Sequence, residues 1–199
     1  MKPLLAILAA LTLSACSTIR PGSQTAEVRA EQTLAVSLAA LDSFVAFEHR
    51  RRADVPALVR DVAYRVRLNA PKALDSANAL RLAYKGSRNA QNEANLLTAL
   101  NVVDALVGEI RVWVPATSAS GPGNRSVDKL MQEAAASKAV TTQSWTVLVP
   151  VFIDLAREIY AVVNRTREAV KQDQEWNLQQ EADFAAQLTA LKAAPHWRP

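Results

Sequence analysis

Glu48 and His49, followed by three arginines, are the sharpest cluster of chemically active side chains in this sequence. Histidine is the commonest general base in proteins, and a neighbouring carboxylate can orient its ring. Adjacent residues on a helix do not face each other, however, so Glu48 is badly placed to orient His49. We therefore interpret this cluster as the solvated end of a helix, where basic side chains are favourable near the carboxyl terminus.

Two further carboxylates, Asp42 and Asp104, interrupt apolar helix faces. A buried carboxylate is costly unless it is paired, so we expect these two either to lie exposed at the edge of the face or to meet Arg60, Arg65 or Arg111 across a helical bundle.

The sequence contains no His-Glu-x-x-His zinc pattern, no Gly-x-Ser-x-Gly elbow and no phosphate-binding glycine loop. It also lacks the Glu-x-x-His pairs of a di-metal bundle. We therefore predict no catalytic residues, no metal and no cofactor, and a protein that is not an enzyme.

The single cysteine, Cys16, ends the segment MKPLLAILAALTLSAC. Lys2 supplies a positive start, and the apolar run from Leu4 to Leu13 is shorter than the roughly 20 residues of a membrane span, as expected of an export signal. Leu13-Ser14-Ala15-Cys16 resembles the lipobox of bacterial lipoprotein signal peptides. An ordinary signal peptide with a chance cysteine is the alternative.

The resemblance implies that residues 1–15 are removed and that Cys16 carries the lipid, including palmitate, which leaves no thiol for other chemistry. Ser17 stands where an aspartate would imply retention in the inner membrane. The resemblance thus implies an outer-membrane anchor facing the periplasm, with residues 16–24 as a lipidated tether.

Basic side chains are concentrated between residues 50 and 88, where ten basic residues stand against three acidic ones. They are Arg50, Arg51, Arg52, Arg60, Arg65, Arg67, Lys72, Arg81, Lys85 and Arg88. Such a segment can contact anionic lipid, lipopolysaccharide or peptidoglycan. The alternative is a helix face balanced by the acidic carboxyl-terminal half of the same bundle. Without aromatic interleaving or a reader motif, we predict no nucleic-acid partner.

Apolar residues recur at helical spacing through most of the chain, which predicts an all-α fold, an antiparallel bundle of about five to six helices over residues 25–192. The first helix is expected from Thr25 to about Arg52. Prolines at 56 and 71 predict breaks, giving a second helix to Leu68 and a third to Gly86. A fourth should run from Ser87 or Asn89 to about Val114.

A loop is predicted at 115–125, followed by a fifth helix from Ser126. The last helix is expected to be long, from about Ser144 to Leu191, and either kinked at Pro150 or begun there. The run from Trp145 to Ile153 could be a core helix, a strand or a surface dipping into a bilayer, and its continuation favours a helix. Residues 193–199 are expected to form a flexible tail with Trp197 exposed.

Two functions follow from these observations. The first is a non-enzymatic, lipid-anchored envelope protein that acts as a helical scaffold or binding module, with an envelope protein as its partner. The alternative is a membrane-perturbing, exclusion or lysis lipoprotein of a mobile element, suggested by the basic segment and the apolar run.

Overall fold

The structure, a computed structural model, describes residues 25–111, 142–170 and 175–198. These residues form five α-helices and no strand: α1 (Ala26–Arg50), α2 (Ala57–Gly86), α3 (Ala90–Arg111), α4 (Thr142–Ala169) and α5 (Leu178–Ala193), followed by a short 3₁₀ turn (Pro195–Trp197). The all-α prediction is confirmed.

Ion pairs and hydrogen bonds between the helices establish their directions. Glu48, near the end of α1, pairs with Arg67 in the first half of α2, whereas Glu31, near the start of α1, pairs with Arg81 in the second half of α2. α1 and α2 are therefore antiparallel. Two contacts orient each of the other pairs in the same way. For α2 and α3 they are Arg65–Glu109 and Asn92–Ala83. For α1 and α4 they are Arg50–Glu158 and Gln32–Val170, and for α2 and α5 they are Lys85–Glu181 and Lys192–Asp75. Each of these helix pairs is antiparallel.

α1 is the central helix of the bundle, since it contacts all four other helices and the 3₁₀ turn. Leu34, Leu41 and Phe44 are completely buried in the shared hydrophobic core. By length and composition α1 could also cross a membrane, but 61% of its most apolar window is buried inside the protein. Burial to this extent is expected of a core helix, whose apolar residues gain free energy by leaving water.

The second and third predicted helices are one helix. α2 continues through Pro71, so the predicted break at residues 69–71 is wrong. A proline inside a helix removes one backbone hydrogen bond and crowds the preceding turn. Here Val66, Ala70 and Leu74, on both sides of the proline, are buried against the same core, which holds the helix together. The predicted break before Ala57 is confirmed, with Pro56 immediately before α2.

The predicted long last helix is two helices, α4 and α5. Asn177 caps the start of α5: its side chain accepts the backbone N–H of Gln180, whose side chain in turn accepts the backbone N–H of Asn177. This reciprocal arrangement satisfies two donors that a new helix leaves free. Pro150 lies inside α4, eight residues after Thr142, so it does not mark the start of the helix.

The 3₁₀ turn Pro195–Trp197 packs against α1 and α5, in contrast to the flexible tail predicted at 193–199. Trp197, expected to be exposed, is only 4% exposed, and its indole N–H donates a hydrogen bond of 2.7 Å to Asp42. The reason is the large apolar area of tryptophan, which favours burial once its single polar group finds an acceptor.

Several predictions lie outside the described residues: the signal segment 1–15, the tether 16–24, the end of the fourth predicted helix at Val114, the loop 115–125 and most of the fifth predicted helix.

Replacing Trp197 with alanine should lower the free energy of unfolding by about 3–5 kcal/mol, because the change leaves a cavity and removes the bond to Asp42. Unfolding in urea, followed by circular dichroism, measures this. Arg198→Ala, at the exposed neighbouring residue, is the control and should change the free energy by less than about 0.5 kcal/mol. Equal, small effects of both variants would mean that the tail is not docked.

Candidate functional site

The densest group of interacting charges in the described residues lies where the start of α1, the end of α2 and the start of α5 meet. We call it the charge network. Its members are Glu27, Glu31, Arg81, Lys85, Arg88, Glu175 and Glu181.

The arrangement follows from helical spacing. Glu27 and Glu31 are four residues apart on α1, and Arg81 and Lys85 are four residues apart on α2, so each pair lies on one face of its helix. The antiparallel packing of α1 and α2 turns these two faces toward each other. Glu181, in the first turn of α5, closes the network from a third helix.

Arg81 lies at the centre of the network and is only 1% exposed. Its Nη1 lies 2.9 Å from a carboxylate oxygen of Glu31, 3.1 Å from one of Glu181 and 4.0 Å from one of Glu27. The guanidinium carbon also lies 5.1 Å from the ring centre of Trp176, within the range of a cation–π contact. A buried guanidinium needs such partners, because an unpaired charge in the interior is strongly destabilising.

Two further hydrogen bonds connect α1 and α2 to α5 and to the segment just before it. The backbone N–H of Trp176 donates to Glu31 at 2.9 Å, and the Lys85 ammonium donates to Glu181 at 2.6 Å. Arg88 adds contacts to Glu27 at 2.8 Å and to Glu175 at 2.6 Å. The network therefore joins three segments that are far apart in the sequence.

Four groups in the network have shifted pKa values. The pKa of the exposed Arg88 guanidinium is raised by its hydrogen bond to Glu175. Burial dominates at Glu31 and raises the pKa of its carboxyl above 4.5. Burial also acts to raise the pKa of Glu181, but hydrogen bonds from Lys85 and Arg81 outweigh it and hold that pKa below 4.5. The same bond from Lys85 to Glu181 raises the pKa of the Lys85 ammonium above 10.5.

The three carboxylates of Glu27, Glu31 and Glu181 are close enough to hold a metal ion, with one oxygen of each within 4.8 Å of the others. Oε1 of Glu27 is buried and has no hydrogen-bond donor. However, Nη1 of Arg81 already lies within 4.0 Å of all three carboxylates. The cation between these oxygens is therefore the guanidinium of the protein itself, and the arrangement serves to join helices.

A second polar group, which we call the tail clasp, fastens the carboxyl-terminal turn to the middle of the bundle. Asp42 accepts the indole N–H of Trp197 and lies 2.8 Å from Nε2 of His196. Arg67 pairs with the fully buried Glu48 and donates from Nε to the backbone oxygen of His196 at 2.7 Å. The clasp thus connects α1, α2 and the tail.

Glu48 and His49, interpreted from the sequence as a solvated helix end, lie in two different environments. Glu48 points to Arg67 and is buried, so its interpretation as part of a solvated helix end is wrong, whereas His49 is exposed as expected. Asp42 meets His196 and Trp197 and not the predicted arginines. Asp104 is exposed, which was one of the two expectations for it. Among the described residues, no serine or threonine hydroxyl is hydrogen-bonded to His196.

Most of the predicted anionic-contact residues have carboxylate partners within the protein. These pairs are Arg50–Glu158, Arg51–Asp154, Arg52–Glu48, Arg65–Glu109, Arg67–Glu48, Arg81–Glu31, Lys85–Glu181 and Arg88–Glu175. Arg60 donates to the backbone oxygens of Arg52 and Val55, and Lys72 is exposed with no partner in the described part of the chain. Since Arg67 and Arg81 are buried, the ten residues do not form one continuous surface.

Sequence reasoning missed the carboxylates of the network on α1 and α5, and the role of Trp176. The available signal was the pair Glu27 and Glu31, spaced one turn apart at the start of a helix that is otherwise apolar on several faces. Two acids on one face of a central helix indicate buried basic partners elsewhere in the chain.

Comparison of the chain with family models, with curated proteins and with solved structures finds no match in any of the three.

Replacing Glu181 with glutamine should lower the free energy of unfolding at neutral pH, with a deficit that shrinks as the pH falls below 4.5. The carboxyl has a lowered pKa in the folded protein, so its stabilising effect is present above 4.5 and is lost as the pH falls through the folded pKa. Urea unfolding of both proteins across the acid range measures this.

Lys85→Met should also lower the free energy of unfolding at neutral pH, but its deficit should depend on pH in the opposite direction. The pKa of Lys85 is raised, so the deficit of this variant should disappear only as the pH rises above 10.5. A deficit that stays constant across pH in either variant would contradict the assigned ion pair.

Proposed function

We propose that this protein is a non-enzymatic, lipid-anchored protein of the bacterial cell envelope, whose helical bundle is a scaffold or binding module facing the periplasm. The observation that carries the proposal is the sequence Leu13-Ser14-Ala15-Cys16 after a short apolar run. Its resemblance to a lipobox supports acylation at Cys16, and Ser17 supports the outer membrane as the anchoring site. The first described helix then begins ten residues after the anchor, at Ala26.

The way in which charges are used supports a scaffold. Eight of the ten side chains in the basic segment pair with carboxylates of the bundle, and the charged residues of the network and the clasp hold helices together. The same pairing weakens the membrane-perturbing alternative, which relied on the basic segment being free to contact lipid as well as on the apolar run from Trp145 to Ile153.

An apolar strip on α2 is the surface that best fits a protein partner. Tyr64 and Leu68, one turn apart on the same side of the helix, are 51% and 41% exposed. Apolar side chains one turn apart are the usual anchors when a helix binds a hydrophobic groove, and tyrosine is a common centre of binding energy. A partner in the envelope would bury them.

Labelling of cells with radioactive palmitate tests the anchor. The protein should incorporate label and fractionate with the outer membrane, whereas Cys16→Ala should incorporate none and leave the membrane fraction. Absence of label from the unaltered protein would contradict the proposal.

Site-specific photo-crosslinking tests the binding module. A photoreactive amino acid at Leu68 should give a discrete adduct with one envelope protein in intact cells. The same group at Ala186, exposed on α5, is the matched control and should give none. Identical adduct patterns at both positions would contradict a binding surface on α2.

A further inference from the structure

Five helix ends meet at one end of the bundle, which we call the base. They are the starts of α1, α3 and α5 and the ends of α2 and α4. Arg88, in the connection between α2 and α3, contacts Glu27 on α1 and Glu175 before α5, and the backbone oxygen of Val170, just after α4, accepts a hydrogen bond from Gln32. The base is therefore one contiguous surface.

The anchor must lie near this surface. Eight residues lie between Cys16 and Thr25, the residue that caps α1, so the nine steps along the chain reach at most about 30 Å when fully extended. α1 itself has 25 residues and is about 37 Å long at 1.5 Å per residue. With the lipid in the bilayer, the base is the end of the bundle that the tether holds at the membrane.

The base carries the most exposed large apolar side chain in the described part of the chain. Leu178, the first residue of α5, is 84% exposed, although its neighbour Trp176 is buried. In this position the leucine side chain is not buried in the bundle, so its apolar area remains in contact with solvent. It would gain free energy by entering the boundary between headgroups and acyl chains.

The charge network supplies no excess of positive charge that would attract the base to a membrane. The charge network beside it contains four carboxylates against three cations, the latter being Arg81, Lys85 and Arg88, and these are paired with one another. The apolar contact is therefore the relevant one, and a zwitterionic bilayer suffices to test it.

We propose that the base of the bundle rests on the phospholipid bilayer, with Leu178 inserted at its interface and the opposite end, which carries Leu58, directed away. This inference rests on the proposed lipid attachment. It adds an orientation to the anchor: the network end lies at the membrane, and the α1–α2 connection at residues 51–56 extends into the periplasm.

Depth-dependent fluorescence quenching tests the orientation in the full-length acylated protein. With Cys16 acylated, a cysteine introduced at position 178 by Leu178→Cys is the only free thiol and can carry a nitrobenzoxadiazole label. The protein is reconstituted into phosphatidylcholine vesicles that contain nitroxide-labelled lipid. Leu58→Cys is the matched control, because Leu58 is an exposed leucine, 55% accessible, at the other end of the bundle.

The inference predicts a blue-shifted, strongly quenched label at position 178 and a label at position 58 that is several-fold less quenched. Equal quenching at both positions would mean that the bundle lies flat, and no quenching at either would mean that it stands off the membrane. Either result overturns the inference. Palmitate incorporation, measured on the same preparations, separates these failures from failure of the anchor itself, in which the proposed function falls as well.

Discussion

The fold depends on how the buried charge of Arg81 is compensated. A guanidinium inside a helical bundle is tolerated only if carboxylates surround it, and Glu31, Glu181 and Glu27 do so from two different helices. Loss of one partner of such a pair commonly costs 3–5 kcal/mol, against a total stability of about 5–15 kcal/mol for a domain. The relative positions of α1, α2 and α5 are consequently restricted to those that bring these groups together.

The charge network and the tail clasp hold α1 at different positions along its axis. The charge network holds its first turns, and the tail clasp holds its second half through Asp42 and Glu48. Between them the contacts of α1 are mainly apolar, and apolar contacts alone would permit small shifts along the helix axis. Directional contacts above and below remove that freedom, because hydrogen bonds and ion pairs tolerate little change in geometry.

Helical periodicity was sufficient to predict the fold class and the start of α1, since both depend on local patterns. Periodicity failed at Pro71, because the packing of neighbouring residues on one face of α2 overrides the local signal for a break. It also failed at the boundary between α4 and α5, where Asn177 and Gln180 form a capping pair that the sequence prediction did not use. The charge network could not be predicted from spacing alone. Its central pair joins residues 50 positions apart, and Arg81 and Glu181 are 100 positions apart. The alternative interpretation, in which the carboxyl-terminal half of the bundle balances the basic segment, anticipated these ion pairs in part. The carboxylates come from α1 as well as from the carboxyl-terminal half.

A double-mutant cycle between Glu31 and Arg81 tests the central claim most directly. The free energy of unfolding is measured for the unaltered protein, Glu31→Gln, Arg81→Met and the double variant. We expect each single variant to lose about 3–5 kcal/mol and the double variant to lose clearly less than the sum, because the second change removes a charge that has already lost its partner. Losses that simply add would contradict the claim that this buried pair constrains the bundle.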